Sequence, residues 1–178
     1  MVDSAALLQS PQAYCMAPWV NMTVQIGGAT APCCEIKGKF GDARKRSLAD
    51  IWSGTEFQAF RARMLRDERT PRCWKCYEVE EAGGQSMRQD YNRNYAHKKA
   101  LIEATPVLPQ PVSPDIRFSN LCNFSCRMCW HSASSKWFAE ARQLGWTDKT
   151  TALIKSFDSV EAGINSVAPL LDTVETIY

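Results

Sequence analysis

Between Val20 and Ile26 apolar side chains recur at every second position, at Val20, Met22, Val24 and Ile26, which predicts a strand with one buried face. Gly27 and Gly28 follow, and glycine accepts the positive φ angles that a tight turn needs. The segment Ala29 to Cys33 is therefore predicted to return as the second arm of a hairpin closed by a two-residue turn. That places Cys33 beside the strand just left, with Cys15 ahead of the hairpin. Ser47 to Trp52 reads as a short helical turn. Thr55 can cap a longer helix in which Phe57, Phe60 and Met64 recur at helical spacing, and Pro71 closes it just before Cys73.

A third helix is predicted from about Gln85 to Glu103, with Tyr91, Tyr95 and Leu101 available for packing and Arg88, Arg93, Lys98 and Lys99 on a solvated face. Residues 104–114, ATPVLPQPVSP, hold four prolines in eleven positions. That composition forbids helix and favours an extended connector, so a domain boundary is placed there. The expected organisation is one unit over residues 1–103, a linker over 104–114 and a second unit over 115–178.

In the second unit, Asp115 to Ser119 alternates around Ile116 and Phe118 and reads as a strand leading into a cysteine-rich loop. Helical patterns follow over about Ser132 to Leu144 and Asp148 to Leu171, and Thr173 to Tyr178 turns β-branched and apolar again. Strand, loop, helix and strand in that order open an α/β unit with parallel strands. The chain ends inside the last predicted strand, as a fragment of a longer protein would.

Charge adds little: residues 1–103 carry 15 basic and 12 acidic side chains, and residues 104–178 carry 6 and 7. With no long run of one sign, neither nucleic acid nor a membrane surface is an expected partner. Met1 to Ser10 contains Asp3, no Lys or Arg and too short an apolar stretch for a signal-peptide core. No run approaches the roughly 18 apolar residues of a membrane span. The expectation is a soluble, cytoplasmic protein with reduced thiols, in which eight cysteines point to metal rather than disulfides.

Those cysteines fall into two sets. Cys122, Cys126 and Cys129 place three thiols within eight residues, and soft thiolates on one short loop suit an iron-sulfur cluster or zinc. A four-iron cluster held by three cysteines keeps one iron open for chemistry, whereas a ferredoxin closes all four positions. Zinc completed by His131 or a remote cysteine is the alternative. Ahead of the linker, Cys15, Cys33, Cys73 and Cys76 are enough for a closed four-coordinate site, and zinc is again the rival occupant. Only one of the adjacent Cys33 and Cys34 is expected to face that site, because neighbouring side chains on a strand point to opposite faces; the glycine spacing favours Cys33, with Cys34 either a small buried residue or the alternative ligand.

The spacing C-x3-C-x2-C after a predicted strand resembles the radical S-adenosylmethionine (SAM) superfamily. The resemblance implies that Cys122, Cys126 and Cys129 hold a 4Fe-4S cluster whose open iron chelates the amino and carboxylate groups of SAM. It implies reductive cleavage to methionine and a 5′-deoxyadenosyl radical, the hard chemistry being the cofactors' own. Many members carry an aromatic residue before the third cysteine, where this chain has Met128, with Trp130 after it. The family's glycine-glycine-glutamate segment, which holds the SAM amino group after the second strand, has no counterpart up to Tyr178, and this fits truncation.

The first set is similar to the auxiliary-cluster module called twitch, a shortened relative of the SPASM domain. A cysteine, twelve residues, Gly28, four residues and Cys33 precede a helix, within IWSGTEFQAFRARML, that ends in Cys73-x2-Cys76. This likeness spans roughly residues 12–80 and implies a second 4Fe-4S cluster, serving electron transfer first and substrate positioning second. It comes ahead of the radical domain rather than after it.

Together these readings give an α/β chain: a small β-hairpin-plus-helix module followed by the start of a partial (β/α) barrel. The expected partners are SAM, an unknown organic or peptide substrate and an electron donor such as flavodoxin or ferredoxin. An iron-sulfur electron-transfer protein without SAM chemistry and a structural zinc protein are the alternatives. No side chain is singled out as catalytic; Ser134 and Ser135 are hydrogen-bonding groups near the loop. His131 reads as a packing or helix-start residue and His97 as solvated. Trp19, Trp52 and Trp74 read as packing around the first set of thiols.

Overall fold

The computed structural model describes residues 13–104 and 108–176. Pro18, fixed in φ and tolerated in a first turn, opens a single helical turn, α1 (Ala17–Val20), that runs directly into strand β1 (Asn21–Val24). β1 and β2 (Ala29–Ala31) form the expected antiparallel hairpin, pairing Thr23 with Ala31 and Val24 with Thr30. The turn is one residue longer than expected: Gln25 N–H donates to the Ala29 carbonyl (2.8 Å) and Gly28 N–H to the Gln25 carbonyl (2.9 Å). The loop is thus Ile26-Gly27-Gly28, with both glycines at positive φ, 91° and 87°.

A short β3 (Gly41–Asp42) pairs with β2, and β4 (Ser113–Ile116) lies parallel to β1, giving the order β3-β2-β1-β4. β4 starts two residues earlier than the alternation suggests and contains Pro114. Proline is admissible on an edge strand, where its missing N–H faces away from the neighbour. The ladder extends at both ends, with Val112 N–H donating to the Val20 carbonyl (2.9 Å) and Arg117 N–H to that of Val24 (3.0 Å).

Alternate β1 residues have different fates. Met22 and Val24 join a core with Trp19, Trp52, Phe57 and Met64, with Leu108 and Val112 from the proline-rich stretch and Phe157 and Leu170 from beyond it. The polar residues Asn21 and Thr23 are buried as well, at 0% and 1% exposure, so the expected solvent face of this strand is covered. The sheet and its core therefore run across the segment expected to separate two domains. Trp52 reinforces that continuity by donating from Nε1 to the Leu108 carbonyl (2.7 Å).

Ser47 caps α2 (Leu48–Trp52), its hydroxyl accepting from Asp50 N–H at 3.0 Å. In α3 (Thr55–Leu65), capped by Gly54 rather than Thr55, Phe57, Phe60 and Met64 are buried as the spacing predicts. Arg61 is buried with them, donating to the Pro18 and Trp52 carbonyls over the Trp52 ring. Burial pulls its pKa down to about 10. α3 ends before Asp67, which sits in the left-handed region at φ 54°, and Pro71 opens a 3-10 turn, Pro71–Cys73, that leads into α4 (Trp74–Glu81).

The helix expected over 85–103 is broken. α5 (Met87–Asn94) and α6 (Lys99–Ala104) are separated by the 3-10 turn Ala96–Lys98. At the break the Tyr95 ring is buried and stacks on Tyr91 (centroids 6.0 Å apart). The break moves the buried face by one residue, so Ile102 is in the core and Leu101 is exposed. Among the cations expected on a solvated face, Arg88 is instead buried against Glu80 and Lys98 pairs with Glu175, while the exposed Arg93 pairs with Asp90.

After β4, the helix expected from Ser132 is shorter, a 3-10 turn at Ser135–Trp137 and then α7 (Phe138–Gln143). Of the helix expected over Asp148 to Leu171 only α8 (Val160–Val167) and the turn Ala168–Leu170 form. The stretch ahead of α8 runs antiparallel beside residues 117–120, through Ser156 N–H to the Phe118 carbonyl (2.9 Å) and the bridge Ser119 to Lys155. Thr173 to Thr176 is not a strand, although Glu175 and Thr176 N–H both point to the Val112 carbonyl, and residues 177–178 of that expectation lie outside the described residues. The architecture is mixed α/β around a small four-stranded sheet; among the described residues a (β/α) barrel is not seen.

Candidate metal centre

Four of the eight thiols share one location. Cys15 arrives on the segment that enters α1, Cys33 on the turn after β2, Cys73 at the end of the 3-10 turn and Cys76 in the first turn of α4. Every pair among these four lies near enough for one thiolate to repel another's charge. Burial, then this repulsion, pushes Cys33 up to about 12 and Cys73 up to about 11, and carries Cys15 well above the ordinary thiol value. Cys76 is raised mainly by burial. Thiols so placed stay protonated at neutral pH until a metal takes up their charge.

Backbone N–H groups are turned toward the same sulfurs. Ala17 N–H faces Cys15, those of Glu35 and Ile36 face Cys33, and that of Arg88 faces Cys76. Donors of this kind stabilise thiolate and set the electronics of a sulfur-ligated centre. Four partly buried soft sulfurs with N–H donors around them are a donor set that fits an iron-sulfur cluster. Among the described residues, no three Cys, His, Asp or Glu side chains close on a single point in the manner of a one-ion site.

The Cys15 segment is pinned from three sides. Asp67 Oδ1 accepts from Ala13 N–H (2.7 Å) and Tyr14 N–H (3.0 Å). Asn92, on α5, accepts from Met16 N–H through Oδ1 (2.8 Å) and donates from Nδ2 to the Tyr14 carbonyl (3.1 Å). Arg88 Nη1 donates to that carbonyl as well (2.9 Å), while its Nε and Nη2 grip both oxygens of Glu80. Burial opposes the Arg88 charge, and the Glu80 carboxylate holds the guanidinium pKa above its ordinary value nonetheless. Ser86 and Gln89 complete a capping box that fixes the start of α5.

Cys34 takes a different direction from Cys33. Its sulfur lies 4.0 Å from that of Met87, at the edge of a cavity of ≈ 670 Å³ also lined by Thr23, Tyr91, Asp115 and Arg117. Tyr91 lines this cavity, and burial, followed by the nearby Cys33 and Cys15 thiols, pushes its phenol far above the ordinary range.

Cys122, Cys126 and Cys129 lie on an irregular loop between β4 and the 3-10 turn Ser135–Trp137. Asn120, wholly buried, organises its base: it donates from Nδ2 to the carbonyls of His131 (3.1 Å) and Ala152 (2.9 Å) and accepts from Ile154 N–H (2.7 Å). Ser135 Oγ accepts from Cys122 N–H (3.3 Å), Ser134 Oγ donates to the Phe124 carbonyl (2.8 Å) and Trp137 Nε1 to that of Cys126 (3.2 Å). The loop exposes apolar surface at Leu121, Phe124, Trp130 and Met128, the last fully.

The sequence model of SPASM, described as an iron-sulfur cluster-binding domain, matches residues 15–77. The matched stretch begins at Cys15 and encloses Cys33, Cys73 and Cys76, and it lies inside the span where the likeness to twitch was read. It supports iron-sulfur and metal binding by this part of the chain. No curated protein and no solved structure matches the chain.

Sequence reasoning missed Arg88, Asn92, Asp67 and Asn120. Arg88 and Asn92 were hidden by their place in a polar helix, where a charge or amide reads as solvated. Asp67 had a faint signal, being a short polar residue able to take a left-handed turn where the α3 pattern stops. Asn120 stands two residues before Cys122, and only the return of residues 152–154 reveals its role. Among the described residues, no helix is long and apolar enough to cross a membrane.

Proposed function

We propose that this chain is part of a radical SAM enzyme: Cys122, Cys126 and Cys129 hold the 4Fe-4S cluster that binds SAM, and Cys15, Cys33, Cys73 and Cys76 hold an auxiliary 4Fe-4S cluster. The observation that carries the reading is the gathering of those four partly buried thiols in the stretch that matches an iron-sulfur domain. The three-cysteine loop adds to it, since it directly follows a strand paired in parallel with β1.

A 4Fe-4S cluster held by Cys122, Cys126 and Cys129 would, once reduced, supply the single electron that cleaves SAM to methionine and a 5′-deoxyadenosyl radical. The chain's own part is geometric. Asn120, Ser134, Ser135 and Trp137 fix the loop's backbone through bonds to main-chain groups. The exposed apolar residues around the loop form a surface able to exclude water once covered. At the four-thiol site, burial and directed N–H groups suit electron transfer, with a flavodoxin or ferredoxin as donor. The adjoining cavity, with Asp115 and Arg117 in its wall, suits a polar organic substrate or a peptide segment. The setting is cytoplasmic, where such clusters and free thiols persist.

The test is anaerobic incubation of the reduced, iron-loaded protein with SAM, read as 5′-deoxyadenosine and methionine by chromatography. Product that disappears in the Cys122→Ala, Cys126→Ala, Cys129→Ala protein supports the reading. Retained iron and sulfide with no cleavage favours an electron-transfer protein. Bound zinc with little iron favours a structural module.

A further inference from the structure

Arg88, buried, and Glu80, partly buried, form an ion pair on the flank of the four-thiol site, both just beyond the stretch that matches the iron-sulfur domain. Their side chains are 8% and 16% exposed. Arg88 touches the site twice: its guanidinium holds the Tyr14 carbonyl next to Cys15, and its backbone N–H faces the Cys76 sulfur. Glu80 lies one turn beyond Cys76 on α4, is held in turn by Ser86 Oγ, and bears electrostatically on Cys76.

Fixed charges of opposite sign are thus placed beside one set of sulfurs in a poorly hydrated region, where screening is weak. Adding an electron to a cluster adds negative charge. A nearby cation favours the reduced form and a nearby anion opposes it, and hydrogen bonds to the sulfurs act in the same sense as the cation.

Resting on the iron-sulfur reading above, we propose that Arg88 is a positioning and potential-setting residue for the centre held by Cys15, Cys33, Cys73 and Cys76, with Glu80 as its opposing partner. The pair neutralises itself, so each partner removed alone exposes the other's charge to the cluster. Replacing Arg88 with Met leaves the Glu80 carboxylate beside the centre and lowers its midpoint potential. Replacing Glu80 with Gln keeps acceptors for Arg88 and Ser86, releases the guanidinium charge and raises the potential. Arg88→Lys preserves the charge with a poorer fork, and returns the potential toward the parent value.

The experiment is an anaerobic redox titration, followed by electron paramagnetic resonance, of iron-loaded protein carrying Cys122→Ala, Cys126→Ala and Cys129→Ala so that one centre is observed. The three partner variants are compared in that background. The expected change is on the order of tenfold in the reduced-to-oxidised ratio at a fixed ambient potential, ~59 mV for a one-electron couple, with opposite signs for Arg88→Met and Glu80→Gln. Shifts of the same sign, or none, overturn the proposal, because a merely structural disturbance has no reason to change sign. Should Arg88→Met fail to keep its cluster, Glu80→Gln and Arg88→Lys decide the matter by the same criterion. Absence of iron and sulfide from the parent protein instead overturns the iron-sulfur reading itself, and this proposal with it.

Discussion

Asn92→Ala removes the amide that brackets Cys15. Its Oδ1 is the acceptor for Met16 N–H at 2.8 Å, and its Nδ2 is a donor to the Tyr14 carbonyl at 3.1 Å. Met16 is 2% exposed, so its N–H is stranded away from water, at a cost of about 1–3 kcal/mol. The Tyr14 carbonyl keeps Arg88 Nη1, so its loss is that of one ordinary bond, roughly 1 kcal/mol. Alanine is the better helix former inside α5 and returns roughly 0.5 kcal/mol. The net expectation is a loss of about 2 kcal/mol in the metal-free protein, read by urea denaturation as a lower midpoint at unchanged slope. The same change loosens the Cys15 segment, so iron is lost faster to a chelator from the loaded protein. Asn94→Ala, at an exposed position two residues on, controls for the helix effect and stays within roughly 0.5 kcal/mol of the parent. A midpoint for Asn92→Ala equal to that control would refute the reasoning.

Gly28→Ala combines a positive φ of 87° with a Cβ that would stand 2.9 Å from Asp42 Oδ1 and 3.0 Å from the Ser156 carbonyl, so a loss of about 2 kcal/mol or more is expected in thermal or urea unfolding. Trp52→Phe strands the Leu108 carbonyl by removing a 2.7 Å donor, and should cost roughly 1–3 kcal/mol in a single unfolding transition; two separate transitions would contradict one core across residues 104–114. The pH response depends on the thiols. Because Cys33 and Cys73 are raised to about 12 and 11 from an ordinary 9.0, the folded metal-free protein holds their protons more tightly than the unfolded chain does. That stability is whole below pH 9 and is lost as the pH rises toward 11 to 12, whereas the loaded protein, its thiolates already ligated, shows no such fall over the same range. Denaturation midpoints at pH 8 and pH 10.5 on both forms check this.

The hairpin, α2 and α3 were legible because each rests on local pattern. Alternation gave β1, paired glycines gave the turn, and Phe57, Phe60 and Met64 marked the buried side of α3. What escaped depends on contacts distant along the chain. β4 reads as the first strand of a new unit, yet it pairs with β1 some ninety residues earlier, and no periodicity carries that information. Asn21 and Thr23 fall on the strand's other face, and their burial is tertiary: Asn21 Nδ2 donates to the Pro32 carbonyl, and Thr23 lines the cavity beside Tyr91 and Arg117. The long helices expected over 85–103 and 148–171 were broken by the Tyr95 ring turning into the core and by residues 152–156 bonding beside β4. Arg88 was misread for the same reason: its partner Glu80 lies on a different helix.

The central claim is two iron-sulfur centres on two separate cysteine sets, and metal content tests it most directly. Iron, acid-labile sulfide and zinc are measured on anaerobically purified protein, on the Cys122→Ala, Cys126→Ala, Cys129→Ala form and on the Cys15→Ala, Cys33→Ala, Cys73→Ala, Cys76→Ala form. The account predicts about eight irons per chain falling to about four in either form, with sulfide in step, as two four-iron clusters require. Zinc with little iron in the parent protein would contradict it.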